Sequence, residues 1–301
     1  MRISNAQTSA MMHNNMNRNS QAIAQLQAQI GSGLRIQKPS DDPIASARLL
    51  RIQREQSSLG QYNENIGKVS DNLKLQETYV QSGSDAMGSI RDLLLWAGND
   101  SNSPEDLSAI ATQLSSLEDS LVSYFNAKDE AGNYVFSGTR NDVPAVTFDP
   151  ATGTYSMTGN DEERQAVVGN GVLIGDNVTA QQMLGADADF LNDLHSLVDS
   201  LKNAPDDPAT RQQLKDTLEQ LDVTHGHMMG AITDMGGRQN TLTLLAESNA
   251  DVSLANQKVQ GDLSQLDMGG AFLAVQAYEL SMQASQKVYS RMATISLFDL
   301  M

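Results

Sequence analysis

Apolar residues recur every seven positions between Ile44 and Ala97. One register holds Ile52, Leu59, Ile66, Leu73, Val80, Met87 and Leu94, and a second, three residues later, holds Tyr62, Val69, Ile90 and Ala97. About six consecutive heptads of this kind predict one long coiled-coil helix. At about 1.5 Å per residue the helix is on the order of 80 Å long, which predicts an elongated molecule. Its apolar stripe needs partner helices, either from the same chain or from other subunits.

A second helix is predicted after a turn that runs from Gly98 to Pro104, with Ser103 as its N-cap. Its apolar residues alternate at spacings of three and four: Leu107, Ile110, Leu114, Leu117, Leu121 and Tyr124. A short loop between two matching stripes predicts an antiparallel helical hairpin over residues 44–132.

Residues 133–178 have a different pattern. Short β-branched or aromatic runs lie at residues 134–136, 146–148, 154–157, 165–168 and 172–174, with Gly, Asn and Pro in the turns between them. This pattern predicts a small β domain at the far end of the hairpin, too small to be an enzyme domain. Helical patterns return over residues 179–260, with one break from Pro205 to Pro208.

Residues 1–43 predict an amphipathic helix followed by a loop. The helix has a narrow apolar stripe, interrupted at Asn19, that consists of Met12, Met16, Ile23, Leu26 and Ile30. Gly31 and Gly33 end this helix, and Asp42 is the predicted N-cap of the long helix, with Pro43 at its first position. Such a sparse stripe cannot offset the entropy of ordering by itself, so this helix requires a partner.

The last segment, residues 261–301, predicts a second amphipathic helix without a core of its own. Its stripe is Leu273, Ala277, Leu280, Ala284, Val288, Met292 and Ile295. Gly269 and Gly270 precede the stripe and predict a hinge, because each glycine costs about 1 kcal/mol inside a helix. The predicted fold is therefore mainly α, an elongated antiparallel helical bundle or coiled coil with a small β-rich domain inserted at its tip.

Composition and charge narrow the function. Hydrophobic residues make up 40% of the 301 residues but aromatic residues only 5%, which is typical of long helices. The formal net charge is −17, and no basic stripe is present, which argues against nucleic-acid binding. Residues 1–60 carry a net charge of +4, which leaves −21 for the rest. This asymmetry favours either packing between different parts of neighbouring subunits or an ordinary solvated surface.

The chain contains no cysteine, which excludes disulfides, thiolate metal sites and cysteine nucleophiles. The first residues contain no apolar leader segment, and no apolar run approaches 18 residues, so we expect neither a cleaved signal peptide nor a membrane span. A soluble protein is expected, either cytoplasmic or exported by another route.

Candidate catalytic and metal-binding residues are few. His225 and His227 form the only close histidine pair, and a metal would need further ligands there. Asp187 and Asp189 lack the glycine and distal glutamate of a calcium-binding loop, so helix capping explains them better. The sequence therefore predicts no catalytic residue, no cofactor and no metal site, and the protein is not expected to be an enzyme.

Four motifs resemble the flagellin family, in particular its members at the junction between hook and filament. They are the opening Met1-Arg2-Ile3-Ser4, the block SGLRIQKPSDDPIA at residues 32–45, the segment DEAGNYVFSG at residues 129–138, and the ending at residues 282–300. Together they include both ends and the middle of the chain. Two departures are the Gly269–Gly270 pair and the lack of an aromatic residue among the first ten.

The resemblance implies a structural protein of the bacterial flagellum. Members are exported unfolded through the flagellar type III apparatus without signal cleavage. Their terminal helices are disordered in the monomer and pair as coiled coil on the inside of a tube when subunits polymerise. The implied partners are further copies in a ring, a neighbouring hook-associated protein, flagellin, and an export chaperone that binds the C-terminal helix, with neither nucleic acid nor membrane. The implied location is extracellular, at the hook-filament junction.

The expected assembly interface joins the two terminal stripes, the connecting loop and the C-terminal end. Its residues are Met12, Met16, Ile23, Leu26, Ile30, Leu34, Arg35, Asp41, Asp42, Leu273, Ala277, Leu280, Ala284, Val288, Ile295, Leu297 and Phe298. Two alternatives remain at this point: a filament subunit of flagellin type, and an unrelated exported coiled-coil binding protein.

Overall fold

The computed structural model describes the backbone of residues 2–298 and the side chains of residues 7–291. Within this range lie α1 (Arg2–Ser32), α2 (Pro43–Ala97), α3 (Pro104–Phe125), β1 (Val146–Asp149), β2 (Thr154–Met157), β3 (Gln165–Gly169), β4 (Val172–Gly175), α4 (Ala180–Leu184), α5 (Asp189–Asn203), α6 (Pro208–Ser264) and α7 (Met268–Phe298). The fold is therefore mainly α with a small β region, as predicted. The chain forms two compact units: residues up to Ser58 together with those from Ala250, and Leu59–Asn249.

In the first unit, α1 packs on α7. α1 is one continuous helix, and the polar Asn19 interrupts its apolar stripe, as predicted. The Asn19 side-chain amide donates a hydrogen bond to the Ser281 hydroxyl of α7 at 3.1 Å. A polar contact thus takes the place of an apolar one at this position, and the helix continues because the exchange leaves its backbone hydrogen bonds intact.

The start of α7 differs from the prediction of a glycine break within a helix. Gly269 and Gly270 lie in the first turn of α7, and the interruption comes just before them, between Ser264 and Met268. The backbone N–H of Gly270 donates to the Asp267 carboxylate at 3.1 Å. Asp267 thereby satisfies one of the amides that a helix start leaves unpaired.

The second unit contains the predicted coiled-coil seam. The α2 residues of the first heptad register are all buried from Leu59 to Leu94, and α6 contributes a matching buried series at seven-residue spacing: Leu221, Met228, Met235, Leu242 and Asn249. Side-chain contacts show that α6 runs antiparallel to α2 here. Ser84 contacts His225 at 3.0 Å, and Gln239 donates to Glu77 at 2.9 Å.

Buried residues of α2 and α3 belong to one apolar core, and the predicted cap of α3 is confirmed. The Ser103 hydroxyl accepts the Asp106 N–H at 3.2 Å, while the Asp106 carboxylate accepts the Ser103 N–H at 3.0 Å. This reciprocal capping box satisfies two amides at the start of α3. α5 packs on α3 through a buried apolar face that includes Leu191, Leu194, Val198 and Leu201.

The β region consists of two antiparallel hairpins, β1 with β2 and β3 with β4. The β3–β4 pair contains a register shift between Val167 and Gly169. The first predicted strand, residues 134–136, is wrong because this segment forms turns with a single bridge from Tyr134 to Lys128. Phe136 is buried against Phe125 in an edge-to-face contact, with ring centroids 6.2 Å apart. Its apolar character thus reflects core packing and not strand pairing.

No helix within residues 2–298 combines the length and the apolar content needed to cross a membrane.

Candidate assembly interface

Two contacts define how the terminal helices pair. The His13 ring of α1 lies edge-on to the Tyr289 ring of α7 with centroids 5.2 Å apart, and Asn19 bonds Ser281. As the residue number rises along α1 it falls along α7, so the two helices are antiparallel. The structure therefore pairs the two terminal helices with each other, and their disorder before assembly stays a prediction.

The α1 stripe predicted from the sequence is the face that packs against α7. Ile23 is buried, and Met12, Met16, Leu26 and Ile30 are half-buried. The opposite face of α1 is polar and exposed, except for Met11. These five residues therefore pack within the chain, and their use between subunits stays a prediction.

α7 carries two apolar faces, of which only one contacts α1. Ala271 is buried and Val275, Met282 and Ser285 are half-buried, at helical spacings of four, seven and three. These residues face α1. Sequence reasoning missed this face because it followed the bulkier leucine stripe, although the same helical spacing of small and apolar residues would have revealed it.

The predicted α7 stripe is exposed. Leu273 has 69% of its surface exposed, Leu280 68% and Val288 47%. Ala277 and Ala284 lie on the same face and are also exposed. At about 100° per residue, this stripe is roughly 140° around the helix from the face that meets α1. The side chains of Ile295, Leu297 and Phe298 lie outside the described residues.

Arg35 joins the α1–α2 loop to the end of α6. Its guanidinium donates to the Leu263 carbonyl from Nε at 3.3 Å and from Nη2 at 3.0 Å, and from Nη1 to Oδ2 of Asp42 at 3.2 Å. Its backbone N–H donates to the Ser264 carbonyl at 2.8 Å. Carbonyls at a helix end lack intrahelical donors, so Arg35 caps α6 while it holds the start of α2.

Asp41 and Asp42 organise the same loop. The backbone N–H groups of Lys38 and Gln37 donate to the Asp41 carboxylate and hold its pKa below the usual value. Asp42 accepts the Ala45 N–H at 3.0 Å, which confirms its role as N-cap of α2. This bond, with a contribution from Arg35, also lowers the pKa of Asp42.

The predicted loop residues therefore have contacts within the chain. Leu34 forms a backbone bridge with Gln265 and leaves 43% of its surface exposed. Arg35, Asp41 and Asp42 hold the loop between α1 and α2 against the segment after α6. Their part in contacts between subunits stays a prediction.

A buried polar cluster in the second unit was not foreseen. Glu118 of α3 is 2% exposed, and its Oε1 accepts the Tyr155 hydroxyl at 2.7 Å and contacts His195 Nδ1 at 2.8 Å. Burial raises the pKa of Glu118, against the opposing effect of these two partners. The three residues come from α3, β2 and α5, so no local sequence pattern identifies them. They hold three elements together.

The described residues contain no group of three His, Cys, Asp or Glu side chains that is arranged to hold a metal ion. His225 bonds Ser84 across the α2–α6 seam, and His227 is exposed. The site that the structure presents is therefore the uncovered apolar face of α7 beside the ordered Arg35 loop.

Comparison with known proteins finds flagellar proteins by family profile, by sequence and by structure. The profile of the bacterial flagellin N-terminal helical region matches residues 3–141. Flagellar hook-associated protein 3 of Salmonella typhimurium is 27% identical over 320 aligned positions that cover 100% of this chain and 99% of that protein. The solved structure of the flagellar junction protein FlgL from Legionella pneumophila has a TM-score of 0.57 and 16% identity, and covers 65% of this chain and 99% of its own; it shares the fold.

A structure from Vibrio parahaemolyticus, assigned to the flagellar hook-associated proteins, is more similar. It is 36% identical with a TM-score of 0.69, and the match covers 75% of this chain and 100% of that one. On this match, the chain belongs to the family of flagellar hook-associated proteins.

Proposed function

We propose that this flagellar structural protein forms the ring of subunits that joins hook to filament outside the cell, and that it associates through α7. The exposed stripe of Leu273, Ala277, Leu280, Ala284 and Val288 carries the proposal, because it is apolar and lies away from the face that packs on α1. Apolar surface in contact with water is unfavourable in free energy, and a second helix that covers the stripe removes this surface from water.

The magnitude is adequate for assembly. Full burial of a leucine side chain contributes about 1.5–3 kcal/mol, and both Leu273 and Leu280 leave about two thirds of their surface to be covered. Contacts repeated around a closed ring act together, so modest stabilisation per subunit is enough. The mechanism is polymerisation and involves no catalysis, cofactor or metal.

The same stripe offers a surface to an export chaperone before assembly. A chaperone that covered Leu273 and Leu280 would keep α7 from associating early and would leave when the subunit polymerises. The remaining proposed partners are the neighbouring hook-associated protein on one side of the ring and flagellin on the other, as the family resemblance implies.

A charge placed on the stripe tests the proposal. The Leu273→Asp/Leu280→Asp variant should fold, because both residues are exposed, but it should fail to enter flagella. Gln276→Asp/Gln283→Asp is the matched control: it adds the same charge at the same spacing on exposed polar positions beside the stripe. Circular dichroism checks folding, and electron microscopy counts hooks that carry filaments.

The control should support filaments as the unaltered chain does, while the leucine variant should give bare hooks. Normal filaments with the leucine variant would refute the seam. Loss of filaments with both variants would show that α7 tolerates no added charge, and the stripe would then have no special role.

A further inference from the structure

The first part of α2 carries a row of three arginines that begins beside its packed face and turns away from it. Arg48, Arg51 and Arg54 are spaced by three residues and are all exposed. Residues three apart lie on adjacent turns of one helix surface, so the three guanidinium groups form a continuous basic strip. Arg48 lies beside the packed face, because Ala45 and Ile52, three residues before it and four after it, are buried, whereas Arg51 and Arg54 turn away from that face.

Glu55 is the single acidic residue between Ile44 and Gly60, so positive charge predominates along this part of α2. The ion pairs found in the described part of the chain involve other basic residues, and none includes an arginine of the row. Ile44 and Leu50 accompany the row with 85% and 51% of their surfaces exposed. Arginine beside exposed apolar side chains is typical of protein interfaces, where its weakly hydrated guanidinium is favoured over lysine.

The charge of the chain identifies the partner. The first unit, with ten basic and eight acidic residues, has a net charge of +2. The second unit has ten basic and 29 acidic residues, a net of −19. The acidic second unit of another copy offers the charge that complements this basic strip. Such complementarity fixes the register of neighbouring subunits and speeds their encounter.

We infer that the Arg48–Arg51–Arg54 row of one copy docks on the acidic second unit, Leu59–Asn249, of a second copy. The inference rests on the proposed self-assembly but concerns a contact separate from the α7 stripe. The stripe supplies apolar burial, and the arginine row sets which part of the next subunit lies against the first unit.

Charge reversal with a matched control tests the strength of this contact. Sedimentation velocity of the full chain, over a concentration series in 50 mM and 500 mM NaCl, measures self-association. Arg51→Glu/Arg54→Glu, at the two exposed positions away from the packed face, should weaken association about tenfold or more at low salt. High salt should also weaken association of the unaltered chain, since exposed charges are screened over about 10 Å or less. Lys68→Glu/Lys74→Glu reverses two exposed charges in the second-unit part of α2 and should not weaken association.

The position of the contact is tested by photo-crosslinking. Because the chain has no cysteine, Ala47→Cys introduces a single attachment point for a benzophenone maleimide beside the arginine row, on an exposed position. Mixing isotope-labelled and unlabelled copies separates crosslinks between copies from those within one. Crosslinks between copies should fall within residues 59–249.

Three results would overturn the inference. The first is crosslinks confined to one copy or to the first unit. The second is a strength of association that the arginine reversal leaves unchanged, and the third is no association of the unaltered chain at low salt. If association is unchanged by the arginine reversal but is lost in Leu273→Asp/Leu280→Asp, the result supports the α7 seam and refutes the arginine contact.

Discussion

Removal of one hydroxyl from the Glu118 cluster should measurably destabilise the second unit. Tyr155→Phe keeps the aromatic ring, which packs against Phe148 with centroids 4.9 Å apart, and deletes the 2.7 Å hydrogen bond to Glu118. Glu118 is 2% exposed, so water cannot replace the lost donor, and its Oε2 already has no partner in the described part of the chain. A hydrogen bond to a charged group contributes about 1.5–3 kcal/mol, so we expect a loss of about 2 kcal/mol.

Urea unfolding followed by circular dichroism measures this change, and hydrogen exchange of α3, β2 and α5 localises it. Tyr134→Phe is the control, because Tyr134 is half-buried and the substitution leaves its backbone bonds unchanged. Its ring keeps the Lys128 Nζ at 4.5 Å from the ring centroid. The control should change the free energy of unfolding by less than about 0.5 kcal/mol. Equal effects of the two variants, or faster exchange spread evenly over both units, would refute the assigned role of the buried carboxylate.

Further predictions concern pH, the seam and glycine positions. Because burial raises the folded-state pKa of Glu118, the folded state binds its proton first, so this group's contribution to stability should fall as pH rises from the ordinary glutamate pKa to the raised one. Glu118→Gln should remove that slope from urea midpoints measured across pH, and an unchanged slope would contradict it. Asn249→Leu should raise the unfolding free energy by about 1 kcal/mol, because Asn249 is 9% exposed at an α6 seam position and its partner Asn63 is exposed to water; a lower urea midpoint would contradict it. Gly159→Ala should cost about 1–3 kcal/mol, since its Cβ would lie 2.8 Å from a backbone Cα, whereas Gly67→Ala in open space in α2 should stabilise by about 0.5–1 kcal/mol. Thermal unfolding of the pair should therefore shift in opposite directions.

The heptad pattern predicted α2 well because each buried position of the seam requires the same thing, an apolar residue seven positions after the last. The stripe from Leu59 to Leu94 needs only a period of seven to be recognised, and the caps Ser103 and Asp42 act within three residues. Signals of this kind depend on neighbours in sequence. They can therefore be recognised in the sequence without knowledge of the tertiary structure.

Features that depend on distant residues could not be predicted in the same way. The buried run at residues 134–136 looks like a strand, but contact with Phe125 and not strand pairing accounts for it. The sequence shows Asn19 only as an interruption of the apolar stripe, because its partner Ser281 lies 262 residues away along the chain. Glu118 lies 37 residues from Tyr155 and 77 from His195, so their cluster exists only in the fold.

In α7, one feature could be predicted from the sequence and another could not. The sequence identifies the stripe that contains Leu273 and Leu280, but it does not show which face α1 covers. The structure assigns α1 to the face with Ala271 and Met282 and leaves the leucines exposed. The proposed seam therefore follows from the two faces together and from neither the pattern nor the packing alone.

The position of the subunit in the flagellum tests the central proposal most directly. Ala151→Cys places one reactive thiol on the exposed β1–β2 turn of a chain that has no other cysteine. Cells that express this variant are treated with a maleimide dye, their filaments are labelled in a second colour, and single flagella are imaged. One focus at the base of each filament, next to the hook, is the predicted result. Label along the whole filament would contradict the junction role and identify a filament subunit.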